Sequence, residues 1–508
     1  MTLLSSFPMR QPLAVVSAAA LLMLAGCADM RGLDQQARAQ MRTSQSLGLP
    51  AAQQPVSGVQ AADAAALPAG VQDAWWRQLG DSRLDALVDQ AVAGNPDIRM
   101  ARARLEQAWA QTQIERADDL PRVDAQMNVT RKRYTENGQV PVPLAGSVRN
   151  DALLQLNVGW ELDLFGKNRA ALEAAIGSAR AAQADEQAAR LVLASQVVQG
   201  YVQLARLQAQ LAVAERALAQ RDETLRLVRD RYAAGLDTTL EVRQSEGGLP
   251  DARLQIEQLG EQIALARNAL AALIGEPAKA ASIEVGDLQA LQGLELPRQL
   301  PASLLGRRAD VVAARWRVEA ARRGIDSAQA AFFPDINLTA FAGLSSLGLD
   351  HWLNGSSRQW GVGPAITLPV FEGGRLRANL RGEAAGYDLA VETYNRTVIG
   401  AVHDTADQLA SIDAVARQQR EQAQAGAAAQ SAFDIARQRY AAGLGTYLNV
   451  LTAETQVLVQ RRQAVDLTAR ALTTRVALAH ALGGGYAGDP DGPLAQAQPA
   501  GPGPTGPH

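Results

Sequence analysis

The chain has 508 residues and a formal net charge of −3, with 47% hydrophobic but only 4% aromatic residues. This charge balance excludes a nucleic-acid binder, which needs a concentrated basic surface to neutralise phosphates. A single cysteine excludes an intramolecular disulfide scaffold and a cysteine-based zinc site, and the four histidines lie far apart. We therefore predict no cofactor and no metal. Abundant Ala, Gln, Arg and Leu are typical of long helices.

Residues 1–26 have the organisation of a secretory signal peptide, with Arg10, an apolar run at 13–24 and then small residues. The run is too short to span a bilayer comfortably, so a retained anchor helix is the weaker interpretation. Leu-Ala-Gly-Cys at 24–27 resembles the bacterial lipobox. That resemblance implies that Cys27 is acylated and begins the mature chain, and that Ala28 after it directs the lipoprotein to the outer membrane.

The remainder of the sequence is an internal duplication. R-D-R-Y-A-A-G-L-D-T-T-L-E-V at 229–242 recurs as R-Q-R-Y-A-A-G-L-G-T-Y-L-N-V at 437–450, an offset of 208 residues. We assign the two repeats to 95–274 and 308–482. Outside them we predict a lipidated N-terminal segment with an equatorial part, an equatorial linker and a disordered tail, at 27–94, 275–307 and 483–508.

Each repeat contains two segments in which apolar and polar residues alternate, the period of a strand with two unlike faces. The four predicted strands cover about 123–132, 153–164, 335–343 and 359–370. A soluble sheet with one wet face is one interpretation of this pattern. The other is a transmembrane sheet, whose strands have about this length. In that case four polar side chains are predicted to face an aqueous lumen: Asp124, Asn128, Gln155 and Asn157.

Two very long helices follow the strand pairs. Arg169 to Tyr232 and Arg375 to Tyr440 correspond to about 95 and 98 Å of helix at 1.5 Å per residue. A seven-residue spacing of Val197, Leu204, Leu211, Leu218, Leu225 and Tyr232 indicates a coiled-coil seam. Shorter helices flank each long one, and Gly247, Gly248 and Pro250 predict an interruption with a kink in one of them.

Four strands cannot close a barrel, and an open sheet edge is not tolerated in hydrocarbon. Three copies supply twelve strands and twelve helical strands. The predicted fold is therefore mainly α with a small membrane β-barrel part. Long coiled-coil helices of the duplicated chain form a trimeric α-barrel below a 12-stranded β-barrel with four strands per chain.

Five motifs make the chain similar to a known family over nearly its whole mature length. L-L-G-R-R-A-D-V, A-F-F-P-D-I-N-L, F-E-G-G-R and E-L-D-L-F-G-K stand at 304–311, 331–338, 371–375 and 161–167, and R-Y-A-A-G occurs in both repeats. The chain resembles the outer membrane factors of tripartite efflux and secretion systems, the TolC/OprM/NodT type. Ala309 stands where that family usually has Pro, and alanine is harmless at a helix start.

The resemblance implies a homotrimeric outer-membrane channel that reaches into the periplasm. A periplasmic membrane-fusion adaptor docks on it, an inner-membrane efflux transporter feeds it, and lipid surrounds its membrane part. Such a channel passes drugs or other small toxic compounds passively and is not an enzyme. The sequence contains no G-x-S-x-G elbow or phosphate loop. The remaining alternative is a lipid-anchored periplasmic coiled-coil adaptor or structural protein. Such a protein does not need strands with one apolar and one polar face.

The repeated turns Tyr232–Thr239 and Tyr440–Tyr447 join each long helix to its return helix. Their glycines are explained by helix capping alone, but the resemblance implies that adaptors dock at these tips. The residues involved are Arg231, Tyr232, Gly235, Thr238, Arg439, Tyr440, Gly443 and Thr446. Where family members carry two acidic gate residues, this chain has Asn449 and Thr452. We therefore expect packing and neutral hydrogen bonds, with contributions from Arg439 and Tyr440, to hold the tip closed.

Overall fold

The computed structural model describes residues 39–42, 46, 74–294 and 308–484. The signal peptide, Cys27 and the tail from residue 485 onwards lie outside this part, so what the sequence indicates for them stays a prediction. Among the described residues, no helix combines the length and the apolar composition that crossing a bilayer requires.

Helices and strands follow one another in the same order in both repeats. The first repeat contains α2 Pro96–Ala117, β1 Arg122–Arg133, β2 Val148–Leu162, α3 Lys167–Ala233 and α4 Thr239–Leu273, with α1 Ser82–Gly94 before it. The second contains α5 Ala309–Ala330, β3 Asp335–Leu347, β4 Arg358–Thr367, α6 Arg375–Ala441 and α7 Tyr447–Ala481. Both long helices have 67 residues and both return helices 35. These equal lengths confirm the duplication.

The four strands form one antiparallel sheet in the order β1-β2-β3-β4. Directly paired residues share a face of an antiparallel sheet. Asp124 pairs with Asn157, and Gln126 pairs with Gln155, so the polar positions of β1 and β2 lie together. Ala125 opposite Leu156 belongs to the other, apolar face. The register therefore brings the four predicted lumen residues to one face.

Three strand ends differ from the prediction. β2 begins at Val148 rather than near 153, because the polar residues before it pair with the end of β1, where Lys132 contacts Asp151 at 2.6 Å. β3 likewise continues to Leu347. β4 ends at Thr367 rather than near 370, because Thr367 pairs with Asp335, the first residue of β3. Period-two alternation cannot detect the start of β2, where Arg149, Asn150 and Asp151 are polar on both faces.

The helix is not interrupted at Gly247, Gly248 and Pro250 as predicted, because α4 continues through all three residues. The kink expected there stays a prediction. The carbonyl of Gly248 accepts a hydrogen bond of 2.9 Å from Arg221 of α3. Arg221 also pairs with the buried Glu454 of α7 at 3.2 Å. These contacts support α4 beside its proline, where one intrahelical hydrogen bond is missing.

The chain divides into two compact units. One contains the sheet and the adjoining helix segments, at 39–41, 106–181 and 315–393, and it has a small core around Phe332 and Leu380. The other contains the rest of the described helices. Its main core joins the short helix Trp75–Leu79 and α1 to α3, α4 and α7.

The coiled-coil seam of α3 is buried at Val197, Leu204 and Leu225. It ends differently from the prediction, since Tyr232 at its last position is 48% exposed. The matching residue of the second repeat, Tyr440, is fully buried. The two repeats therefore differ at the ends of their long helices.

Candidate functional site

The two turns between long and return helices have the same backbone. Gly235 and Gly443 both have a φ of +74°, the left-handed conformation that glycine adopts at helix ends. The N–H of Leu236 donates to the Arg231 carbonyl at 2.8 Å, and that of Leu444 donates to the Arg439 carbonyl at 2.8 Å. Capping thus accounts fully for both glycines, and any further role of the turns depends on their side chains.

An ion pair lies at the first turn, and a tyrosine at the second turn is hydrogen-bonded to it. Arg231 Nε contacts Asp237 Oδ2 at 3.0 Å, and the two side chains are only 11% and 8% exposed. The hydroxyl of Tyr440 donates to the same carboxylate oxygen. The guanidinium carbon of Arg231 lies 4.6 Å from the centre of the Tyr440 ring. We call these three residues the tip latch, because they join the end of α3 to the end of α6.

The tip latch rests on an apolar cluster. The rings of Tyr440 and Tyr447 lie 5.9 Å apart. The cluster contains Val228, Phe433, Tyr440, Tyr447, Val450 and Val457. Burial, and then the hydrogen bond to Asp237, raise the pKa of the Tyr440 hydroxyl far above its usual value. Tyr440 therefore stays protonated and donates its hydrogen bond at every physiological pH.

The return helices begin with unequal caps. Thr238 forms a capping box with Glu241 at the start of α4. Thr446, at the start of α7, makes no side-chain capping bond, and Asn449 stands where the first repeat has Glu241. The hydroxyl of Thr452 only bonds back to the Leu448 carbonyl at 2.9 Å. The second turn consequently lacks one of the stabilising devices of the first.

The tip latch contains a largely buried ion pair, which was not among the contacts predicted for the tip. Tyr440 takes part in the tip latch, whereas the exposed Arg439 bonds to the Leu444 carbonyl of its own turn, at 3.3 Å. Which contacts hold the tip closed stays a prediction. Asp237 was not among the predicted site residues. In the sequence, Asp237 stands out only by a difference between the repeats, because the second repeat has Gly445 at the matching position.

The polar face of the sheet carries a line of hydrogen-bonded amides. Gln155 donates to Asn157 and accepts a bond of 2.9 Å from Gln359 of β4. On the opposite face, Leu156 and Trp360 are exposed although they are large and apolar. An exposed apolar surface of this kind marks a contact with lipid or with another protein.

Known proteins match this chain across both repeats. The model of the family described as "Outer membrane efflux protein" matches residues 87–276 and 300–484. The multidrug resistance outer membrane protein MdtQ of Escherichia coli is 31% identical over 475 residues, which cover 92% of this chain and 96% of MdtQ. The fusaric acid resistance protein FusA of Burkholderia cepacia is 40% identical over 316 residues, covering 61% of this chain and 60% of FusA.

A solved structure agrees with the fold as well. The outer membrane protein VceC of Vibrio cholerae superposes with a TM-score of 0.77 at 37% identity, covering 82% of this chain and all of VceC. That match is consistent with the mainly helical chain and its small four-stranded sheet. The chain belongs to the outer membrane efflux protein family and is a protein of the outer membrane.

Proposed function

We propose that the protein is the exit channel of a tripartite efflux system and works as a homotrimer. It receives compounds from an inner-membrane transporter through a periplasmic membrane-fusion adaptor and releases them across the outer membrane. The observation that carries this proposal is the sheet. It is polar on one face and apolar on the other, and its edge strands β1 and β4 each have one neighbour in the described chain. Three copies can satisfy those edges by closing a barrel.

Small toxic compounds are the proposed substrates. The names of MdtQ and FusA refer to multidrug resistance and to fusaric acid resistance. Expression of this chain in a strain that lacks its own exit channel should restore drug resistance. The protein should also migrate as a heat-modifiable oligomer from the outer-membrane fraction. A monomeric chain that leaves drug susceptibility unchanged would instead support the adaptor or structural protein.

Adaptor docking at the two turns is supported by a repeated exposed leucine. Leu236 and Leu444 follow the two capping glycines and are 65% and 70% exposed. A residue at this position of a helix end usually packs back onto the helix. Two large apolar side chains at the same place of both repeats therefore form a surface suited to an apolar partner.

Replacing Leu236 and Leu444 together by glutamate should abolish efflux but leave the trimer intact, because each carboxylate must be desolvated against the adaptor. We expect drug susceptibility to approach that of the channel-deficient strain, with normal oligomer on a gel. Leu349→Glu, at an exposed leucine of the β3–β4 loop, is the control. Unchanged efflux by the double variant would mean that the turns serve only to cap the helices.

Acylation of Cys27 is proposed from the lipobox alone. Radiolabelled palmitate should enter the wild-type protein and be absent from Cys27→Ser. Because three chains can close a barrel without the lipid, the substitution should impair sorting to the outer membrane more than folding. Label that persists in the serine variant would contradict lipidation at this position.

A further inference from the structure

The two edge strands of the sheet carry exposed arginines at one end of its apolar face. Arg131 and Arg133 of β1 share the face of Val129, because alternate side chains of a strand lie on the same face. Arg358, the first residue of β4, shares the face of Trp360 for the same reason. β1 and β4 each have one neighbour in the described chain, so these arginines stand at its two open edges.

The arginines lie at the end of the sheet that carries the hairpin loops, 134–147 and 348–357. The other end of the sheet continues into the helices that precede β1 and β3 and follow β2 and β4. In the proposed exit channel the helices extend into the periplasm, so the hairpin loops face the cell exterior. The outer leaflet on that side of an outer membrane consists mainly of phosphorylated glycolipid. The arginines on the apolar face therefore approach lipid phosphates.

The duplication relates the strands of the two repeats to one another. The first hairpin begins with the pair Arg122 and Gly159, and the second begins with Asp335 and Thr367. The offset is therefore 213 residues from β1 to β3 and 208 residues from β2 to β4. The first value also relates the prolines that precede β1 and β3, and the second relates the two turns of the helical part. The same two offsets thus describe the sequence and the strand pairing.

These offsets predict how β4 of one copy pairs with β1 of the next copy in a closed barrel. Within one chain, Ala152 of β2 pairs with Ser346 of β3. The equivalent pair between two copies is Trp360 with Arg133 of the next copy. Arg358 precedes Trp360 by two residues on the same face, so it becomes a diagonal neighbour of that Arg133, about 7–8 Å away. We call this contact between β4 and the next β1 the subunit junction.

Only the junctions between copies have this concentration of charge. Inside one chain, the equivalent contact of β2 with β3 has Leu344 and Ser346 where β1 has Arg131 and Arg133. Asn150 stands where β4 has its first arginine. A trimer therefore contains three basic junctions that alternate with three uncharged ones.

The charges of the subunit junction are poorly compensated by the protein. In the part of the chain that the structure describes, neither Arg131 nor Arg358 forms an ion pair or a hydrogen bond. Arg133 contacts Glu136 at 3.2 Å, but both side chains are 68% exposed. Neighbouring like charges on one face of a sheet repel each other. Three arginines beside an apolar surface therefore favour a bound anion.

We propose that each subunit junction binds the phosphate of an outer-leaflet glycolipid between Arg358 of one copy and Arg131 and Arg133 of the next. This inference rests on the proposed function, which supplies the trimer and its orientation in the membrane. Guanidinium groups bind phosphate through paired, charge-assisted hydrogen bonds. The acyl chains then lie on the exposed apolar side chains of the same face, such as Trp360 and Val129, which are 77% and 45% exposed.

Native mass spectrometry of the detergent-purified trimer tests this site, with bis-phosphorylated lipid A as the probe. The wild type should retain up to three molecules, one for each junction. Combining Arg131→Gln, Arg133→Gln and Arg358→Gln should reduce retention at least about tenfold, because the charge-assisted hydrogen bonds to the phosphate are lost. The matched control is Arg149→Gln. Arg149 lies at the same end of the sheet but on its polar face, opposite Lys132, so this variant should bind like the wild type.

Lipid A without its phosphates should not be retained. If it binds as well as the phosphorylated form, the surface recognises acyl chains alone and the phosphate site is overturned. Undiminished binding by the triple variant, or an equal loss in Arg149→Gln, would overturn it as well. Single-channel conductance of the triple variant should stay normal, since none of its substitutions is on the polar face.

The pairing between copies is tested separately by cross-linking. Trp360→Cys with Arg133→Cys should be joined by a short bifunctional thiol reagent into covalent oligomers on a denaturing gel. Trp360→Cys with Lys132→Cys is the control, because residue 132 lies on the opposite face and should give no oligomer. Val362→Cys with Arg131→Cys, the next pair in the same register, provides a second variant. Equal cross-linking to positions 132 and 133, or none in assembled trimers, would overturn the subunit junction.

Failure of this inference is distinguishable from failure of the proposed exit channel. Trimers that restore drug resistance but retain no lipid A would contradict only the glycolipid site. A chain that purifies as a monomer and leaves drug susceptibility unchanged would contradict the exit channel, and the subunit junction with it.

Discussion

Replacing Asp237 by alanine should open the periplasmic tip. The substitution removes the ion pair to Arg231 and the acceptor of the Tyr440 hydroxyl in one step. Losing the carboxylate from this largely buried arrangement should cost about 2–4 kcal/mol of local stability, since charged hydrogen bonds are lost and a guanidinium stays unpaired. We expect higher single-channel conductance in planar bilayers and greater sensitivity of cells to large antibiotics, while the yield of oligomer stays normal.

Two variants separate the tip latch from a general effect of lost charge. Asp222→Ala removes an exposed ion pair with Arg226 of the same helix, and such pairs contribute at most about 1 kcal/mol. It should leave conductance unchanged. Tyr440→Phe removes only the hydroxyl that reaches Asp237, so its conductance should lie between those of wild type and Asp237→Ala. If all three variants conduct like wild type, the tip latch has a structural role only.

Arginine at Leu156 should prevent stable insertion, whereas arginine at the next residue, Asn157, should be tolerated. Leu156 belongs to the apolar face of the sheet and Asn157 to the polar face. On a lipid-facing position near the bilayer midplane, arginine costs about 2–4 kcal/mol. We expect Leu156→Arg to reduce heat-modifiable oligomer in the outer membrane, and Asn157→Arg to assemble normally with altered conductance and ion selectivity.

These two neighbouring positions control for each other, because both place the same charge in the same strand. Equal tolerance at Leu156 and Asn157 would mean that the sheet does not separate lipid from water. Equal loss at both would mean that β2 is packed on both faces. Either result would contradict a water-filled lumen on the polar face.

Much of the fold could be predicted because its helices are long and occur in both repeats. The long helix of the first half follows from its heptad spacing, and both 67-residue helices lie in stretches without proline, 144–249 and 370–489. The first residues of β2 could not be predicted, since Arg149 and Asn150 carry no alternating pattern. The continuity of α4 was missed for another reason, because Arg221 supports it from a different helix.

The candidate site was predicted only in part. The turns and their glycines follow directly from the repeat, but the tip latch joins Tyr440 to Asp237 across 203 residues of sequence. Repeat matching also directs attention to residues that are the same in both halves. Asp237 is informative because the other half has Gly445 instead. Contacts between elements, which a single sequence does not record, decide what such differences do.

The strand order has a consequence for biogenesis. β1 with β2, and β3 with β4, are hairpins of neighbouring segments, but Asp151 of β2 pairs with Leu347 of β3, about 200 residues later in the chain. A polypeptide that emerges from its amino terminus therefore completes the first hairpin long before the partner of β2 exists. During that interval β2 exposes unpaired backbone groups and its apolar side chains, the features that promote aggregation. Periplasmic chaperones should bind this hairpin until the second one arrives.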